Sequence, residues 1–186
     1  VYLLSLIAEN IAGIDTQAFT LTVLENPTFT SVDHTTFTAG NPNTFTITTD
    51  GYPPATITYS GALPGGVTLV DNSDGTATLS GTPVLGSNGV YVLALTGFNG
   101  ILPDATQTFT LTVNQAPAIT SPNAVTFVTG FAGSFTVTTS GDPTPALTSS
   151  GTLPAGVTFV DNSDGTATLS GTPTVGSVGV YPLTFG

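Results

Sequence analysis

Lysine and arginine are absent from all 186 residues, while eleven acids give a net charge of −11. A chain with no fixed cation has nothing to set against phosphate, so neither nucleic acid nor an anionic lipid surface is expected as a partner. Side-chain salt bridges and Lys–Asn isopeptide cross-links are excluded for the same reason. Cysteine is absent too. No disulfide or thiolate metal site can form, and the composition does not discriminate between reducing and oxidising compartments. Only 6% of residues are charged, against roughly 25% in an ordinary globular domain. No apolar run approaches the ~18 residues of a membrane span, so no membrane insertion is expected. No signal peptide is visible, and there is no methionine even at the start. The chain therefore reads as an interior piece of something longer.

Threonine takes the place of charge, at 38 positions. It is β-branched, fits a pleated strand and offers water a hydroxyl. A neutral, hydroxyl-rich surface is poor at keeping copies apart, so self-association into a filament or array is the expected partnership. The segment Asp71-Asn72-Ser73-Asp74-Gly75-Thr76-Ala77-Thr78-Leu79-Ser80-Gly81-Thr82-Pro83 returns unchanged as Asp161–Pro173. It reads as a β-hairpin. Val67–Val70 is the incoming strand, Asp74-Gly75 the turn, and Ala77 and Leu79 share a face of the outgoing strand. Thr82-Pro83 stops that strand, because proline has no N–H for a ladder.

Residues 27–96 align without a gap on 117–186, with 40 of 70 positions identical. The remaining strands follow from period-two patterning. Strand one is broken into Thr28–Ser31 and Thr36–Ala39, strand two is Thr44–Thr48, and strand three is Ala55–Tyr59. Strand six is Val90–Leu95, apolar on both faces and hence central or covered. Strand seven is Thr108–Val113. Helical periodicity is absent throughout. Phe37, Phe45, Ile47, Ile57, Val67, Leu69, Leu79, Tyr91, Leu93, Phe109 and Leu111 point inward and suffice for one core. The fold class is all-β: tandem sandwiches of about seven strands.

Leu63-Pro64-Gly65-Gly66-Val67-Thr68-Leu69, the hairpin, Ser80-Gly81-Thr82-Pro83, Gly89-Val90-Tyr91 and Thr108–Val113 together resemble the immunoglobulin-like repeat of large bacterial surface proteins. That family is itself similar to cadherin-like repeats. The resemblance implies tandem arrays in adhesins and other extracellular or cell-surface proteins, with no shared activity.

The repeat is cut out of phase. Val1-Tyr2 and Val180-Tyr181 hold the same place in the motif, and Asp15–Val23 matches Asp104–Val113 with one residue missing. Residues 1–24 are expected to be the last two strands of a preceding repeat, 25–114 a complete domain, and 115–186 a domain lacking its final strand. Burying that strand's Phe, Leu and Val is worth roughly 1.5–3 kcal/mol each. The sum rivals the ~5–15 kcal/mol stability of a small domain. Completion is expected from continuing chain, the favoured arrangement, or from a neighbouring subunit by strand addition. In the second case Val1–Ile7 and Val180–Gly186 compete for one slot. Short joins at Leu24–Pro27 and Val113–Pro117 imply a stiff rod with about 35 Å per repeat.

Candidate chemistry is sparse. Asp71, Asp74, Asp161, Asp164, Asp104 and Asp15 recur with the repeat and could offer oxygens to Ca2+. Asp at a turn also bonds its own backbone, and this turn role is the reading adopted. The joins hold only Glu25, so the acid clusters of cadherin-like calcium junctions are missing. His34 is the lone histidine and becomes Ala124 in the next copy; without a cysteine or second histidine it is not expected to form a triad or zinc site, and it reads as a solvent-exposed loop residue. Tyr52-Pro53-Pro54 could stack on a sugar, but its counterpart is Asp142-Pro143-Thr144. Gly65-Gly66 opens no helix and no lysine follows, so it is no phosphate cradle. No catalytic, cofactor-binding or metal-ligating residue is assigned, and no enzyme activity is expected. The functional expectation is a structural repeat of a bacterial extracellular filament or surface stalk. The alternative is an adhesin repeat that touches glycan or protein through its loops.

Overall fold

Threonines alternating with Phe, Ile or Leu put hydroxyls on one face of a strand and hydrocarbon on the other. In the computed structural model, which describes residues 1–186, this pattern gives fifteen strands and no helix. The first two, β1 (Tyr2–Asn10) and β2 (Gly13–Leu21), pair only with each other.

The complete sandwich follows. One sheet joins β3 (Glu25–Phe29), β5 (Asn43–Tyr52), β8 (Thr76–Gly81) and β7 (Val67–Asp71) in the order β3-β5-β8-β7. The facing sheet holds β4 (His34–Thr38), β10 (Ala105–Ile119), β9 (Gly89–Phe98) and β6 (Thr56–Ser60). Strand one is thus broken because the chain changes sheets between β3 and β4. β3 pairs antiparallel with β5, whereas β4 runs parallel to β10, Phe37 opposite Val113.

Of the eleven inward positions, Phe37, Ile47, Ile57, Val67, Leu79, Leu93, Phe109 and Leu111 are buried, and Phe45, Leu69 and Tyr91 are half-buried against them. Ala39, Ala77, Leu95 and Val113 complete a twelve-residue core. The Phe45 and Phe109 rings meet at a centroid distance of 5.4 Å across the two sheets. β9 is central, between β10 and β6, yet its outer face is bare: Val90 and Val92 are exposed. The second apolar face of strand six therefore has no cover.

The hairpin turn needs more than Asp-Gly. Gly75 has φ +88°, but Ser73 also enters the left-handed region, at φ +61°, as does its copy Ser163. A second glycine requirement lies in Leu63–Val67. Gly66 has φ +85°, and a Cβ there would strike the Thr82 carbonyl oxygen. Gly65 has no positive φ and no backbone in its way, a Cβ meeting only the Val84 side chain at 3.3 Å, and the next copy has Ala155 there while keeping Gly156.

Strand seven is longer than Thr108–Val113. β10 continues without a break through the expected join and becomes the first strand of the next unit, where Ala118 and Ile119 pair with Ser140 and Thr139 of β11 (Gly133–Asp142). Pro117 sits where the register shifts, between Gln115 and Ala118, so its missing N–H costs no ladder bond. β11 then pairs with β14 (Thr166–Gly171), which pairs with β13 (Val157–Asp161), repeating the first sheet of the complete sandwich.

The facing sheet is barely formed in this second unit. It consists of β12 (Ser149–Ser150) against β15 (Thr184–Phe185). The stretch 124–128, matching β4, forms no strand. β4 is held by β10, and nothing in 117–186 occupies the β10 position. Its core falls to Val137, Leu147 and Ala167, with Phe135, Phe159 and Phe185 partly buried around them.

Candidate functional site: an open cleft and an unpaired hairpin

The recurring acids are engaged locally. Asp74 accepts the Thr76 amide at 3.0 Å and the Thr76 hydroxyl at 2.6 Å. Asp164 treats Thr166 the same way. The Thr76 and Thr166 hydroxyl bonds hold both carboxyls below the usual carboxylate range. Asp71 accepts the Ile57 amide at 3.2 Å, tying the hairpin to β6. Its copy Asp161 instead accepts the Ser163 amide at 3.1 Å, because β6 has only a two-residue counterpart there. Asp15 accepts the Thr16 amide in the β1–β2 hairpin. Asp104 borders a shallow polar hollow of about 360 Å3 with Asn26, Thr28 and Gln107. It brings a single carboxylate there, far short of the six to eight oxygens Ca2+ takes. No three His, Asp or Glu side chains converge on one point.

His34 opens β4 rather than lying in a loop, and its Nδ1 lies 2.9 Å from the exposed Asp33 carboxylate. Protonated, it makes one ion pair despite the absence of Lys and Arg. The hydrogen bond from His34 holds Asp33 below its ordinary value. Tyr52 closes β5 and is exposed. None of these groups lines the cleft described next.

What the structure does bring together is hydrocarbon. Over the second unit lies a cleft of about 810 Å3, lined by Phe127, Phe135, Leu153, Val157, Leu169 and Leu183 among others. They are counterparts of Phe37, Phe45, Leu63, Val67, Leu79 and Leu93, which pack in one cluster with Phe109 in the complete sandwich. The cleft is the vacated β10 position.

At the other end of the chain every residue of β1 and β2 is exposed. Leu4 stands opposite Phe19 and Tyr2 opposite Leu21. In β9–β10, Leu93 stands opposite Phe109 and Tyr91 opposite Leu111. The hairpin thus carries the same residues in the same register. Phe109 and Leu111 are 0% exposed, whereas Phe19 and Leu21 are 43% and 44% exposed.

Between the two units, a pair of hydrogen bonds reinforces the continuous strand. Gly86 N–H donates to Gln115 Oε1 at 2.8 Å, and Asn88 Nδ2 donates to Asp142 Oδ2 at 2.9 Å. The loop of residues 84–88 thereby touches both the strand and the second unit. Sequence reasoning passed over Asn88 and Gln115, since each gains meaning only from its distant partner.

Among families, the one described as "Putative Ig domain" matches residues 26–114. No curated protein matches the chain. Among solved structures, the I-band fragment I67–I69 of titin is similar at TM-score 0.61 and 16% identity, over 96% of this chain and 67% of that one. An E-to-A variant of the same three-domain titin segment gives TM-score 0.61 at 15% identity, with the same coverage. An endo-fucoidan hydrolase of glycoside hydrolase family 107 is matched over 31% of its length, at 22% identity and TM-score 0.41. The titin likeness speaks for the fold alone, and the hydrolase likeness carries no argument. The chain is a tandem of immunoglobulin-like β-sandwich repeats, and its complete sandwich is the part that the "Putative Ig domain" family matches.

Proposed function

We propose that this chain is a structural repeat segment of an extracellular filament or cell-surface stalk, joined end to end through its sandwiches. The observation that carries this reading is β10: one unbroken strand closes the core of one sandwich and opens the first sheet of the next. A hinge needs residues free to change φ and ψ. Here the backbone at the join is paired on both sides of the Gln115–Ala118 shift, and two side-chain hydrogen bonds brace it. Repeats connected in this way transmit orientation, as a rod does and a flexible tether does not.

Composition supports the same reading. The outward faces of β5 and β8 set Thr46 against Thr78 and Thr48 against Thr76, a neutral hydroxyl surface suited to side-by-side contact. The resemblance to repeats of bacterial surface proteins adds the extracellular setting. No enzyme activity is proposed. The experiment is negative-stain imaging of the purified protein, scored against an adhesin stalk. Uniform filaments that lengthen with concentration support the structural reading. Isolated beaded stalks that bind immobilised glycan through the Tyr52 loop, and lose that binding in Tyr52→Ala, overturn it in favour of an adhesin.

A further inference from the structure

We propose that Asn88 is a site of spontaneous deamidation, and that its conversion loosens the join between the two sandwiches. Asparagine followed by glycine is the pairing that loses a side-chain amide most readily, because no Cβ on the second residue hinders its nitrogen. The chain holds two such pairs, Asn88-Gly89 and Asn99-Gly100. Their settings differ. Asn99 is half-buried and tied down on both sides of its amide: Nδ2 donates to the Glu25 and Pro53 carbonyls, each at 2.8 Å, and Oδ1 accepts the Ile101 amide at 3.0 Å. Asn88 is exposed, and its side chain is held only by the bond from Nδ2 to Asp142 Oδ2. Gly89 opens β9 and pairs on the last rung of the ladder with β10, opposite Val113. Strand ends open at small free energy. The space where a Cβ would stand on Gly89 is empty, and its φ of +142° favours glycine.

The chemistry needs only water. The Gly89 nitrogen gives its proton to solvent base and bonds to Asn88 Cγ. The Cγ–Nδ2 bond breaks, and ammonia leaves with a proton taken from water. A cyclic succinimide remains. Water opening it at Cγ breaks the new Cγ–N bond and gives aspartate. Water opening it at the main-chain carbonyl breaks the original peptide bond and gives isoaspartate, whose backbone runs through Cγ. One water enters and one ammonia leaves, and nothing is oxidised or reduced.

Either product replaces a donor with a carboxylate. Asp142 Oδ2 can only accept from a neutral amide, so the present bond requires the Asn88 nitrogen. After conversion two carboxylates face each other across the join, in a chain with no lysine or arginine to screen them. Isoaspartate also adds a backbone atom immediately before β9. The loop itself stays anchored. Ser87 donates to the Val84 carbonyl from both its amide and its hydroxyl, and the Tyr91 hydroxyl donates to the Ser87 carbonyl. The loss therefore falls on the contact with the second unit, and leaves the Gly86–Gln115 bond alone to brace β10. The next copy repeats the anchor, with the Tyr181 hydroxyl on Ser177, but has Val178 in place of Asn88 and no amide to lose there.

The test ages the 186-residue chain at mildly alkaline pH beside a synthetic peptide of residues 84–93. Peptide mass, with fragmentation that distinguishes isoaspartate, reads each asparagine. Asn88 is expected to convert within about tenfold of the peptide's rate and to give both products, with Asn99 at least about tenfold slower than Asn88. Amide hydrogen exchange of the aged chain should quicken at least about threefold across 115–119 and 139–142, and stay unchanged across 67–81. Asn88→Asp should quicken the same segments without ageing, and Asn88→Gln should show no change on ageing. An Asn88 that stays amidated while the peptide converts overturns the proposal, as does conversion no faster than at Asn99. Aspartate as the sole product overturns the cyclic route. Conversion that leaves exchange at the join unchanged overturns the loosening.

Discussion

Phe19 and Phe109 occupy one position of the repeat in two environments, and truncating each to alanine separates position from packing. Phe109 is fully buried, its ring 5.4 Å from that of Phe45 in a twelve-residue core. Removing a buried phenylalanine costs about 3–5 kcal/mol, transfer and cavity together. Phe19 is 43% exposed and pairs only across the hairpin, so Phe19→Ala in the monomer should stay within about 0.5 kcal/mol. Amide hydrogen exchange followed by peptide mass resolves the regions separately. Phe109→Ala should speed opening of the region 43–113 by about 10²- to 4 × 10³-fold, since every 1.4 kcal/mol is tenfold. Exchange in 133–171 should change far less. Equal destabilisation of 43–113 by the two variants at monomeric concentration would refute the reasoning, because it would mean that the hairpin is already packed in a core.

Ser73→Gly should stabilise the complete sandwich by about 0.5–1 kcal/mol, because φ +61° costs serine what glycine does not pay; equilibrium urea denaturation measures it. Gly66→Ala should be strongly destabilising, with the new Cβ driven into the Thr82 carbonyl and φ at +85°, whereas Gly65→Ala should cost far less, its Cβ meeting only the Val84 side chain at 3.3 Å. Asp74 and Asp164 are held below the ordinary carboxylate pKa by the Thr76 and Thr166 hydroxyls, so folding gains from them above the unfolded value of about 3.9 and loses that gain as pH falls through the folded value. Carboxyl carbon NMR titration should show both below the unfolded reference, and Thr76→Val should bring Asp74 back toward it.

Much of the sandwich was legible because its signals are local. Phe45 and Ile47 alternating with threonine, the Asp74-Gly75 turn and the stop at Pro83 all act within a few residues. What escaped depends on partners far along the chain. Val113 reads as the end of a strand, and Val113–Pro117 as a join, but the register shift between Gln115 and Ala118 lets β10 run on. β4 gives no sign of parallel pairing, and in its counterpart 124–128 Thr126 and Phe127 are kept from Thr36 and Phe37, yet no strand forms where no neighbour fills the β10 slot. Ser73 was hidden behind Asp-Gly, which accounts for one left-handed residue while the turn needs two. Phe19 and Leu21 were legible as members of the repeat. Only the structure revealed a cleft lined by the counterparts of residues that bury Phe109.

A strand shared between two sandwiches should fix their relative orientation, and the absence of cysteine makes that directly measurable. Thr68→Cys and Thr158→Cys, exposed positions of matching hairpins, would carry spin labels with no competing thiol, and pulsed dipolar spectroscopy would read the distance between them. One narrow distance, broadened when Asn88→Ala and Gln115→Ala remove the bracing bonds, is the expected result. A broad distribution in the parent chain, unchanged by those substitutions, would mean that the sandwiches swing freely about β10 and form no rod.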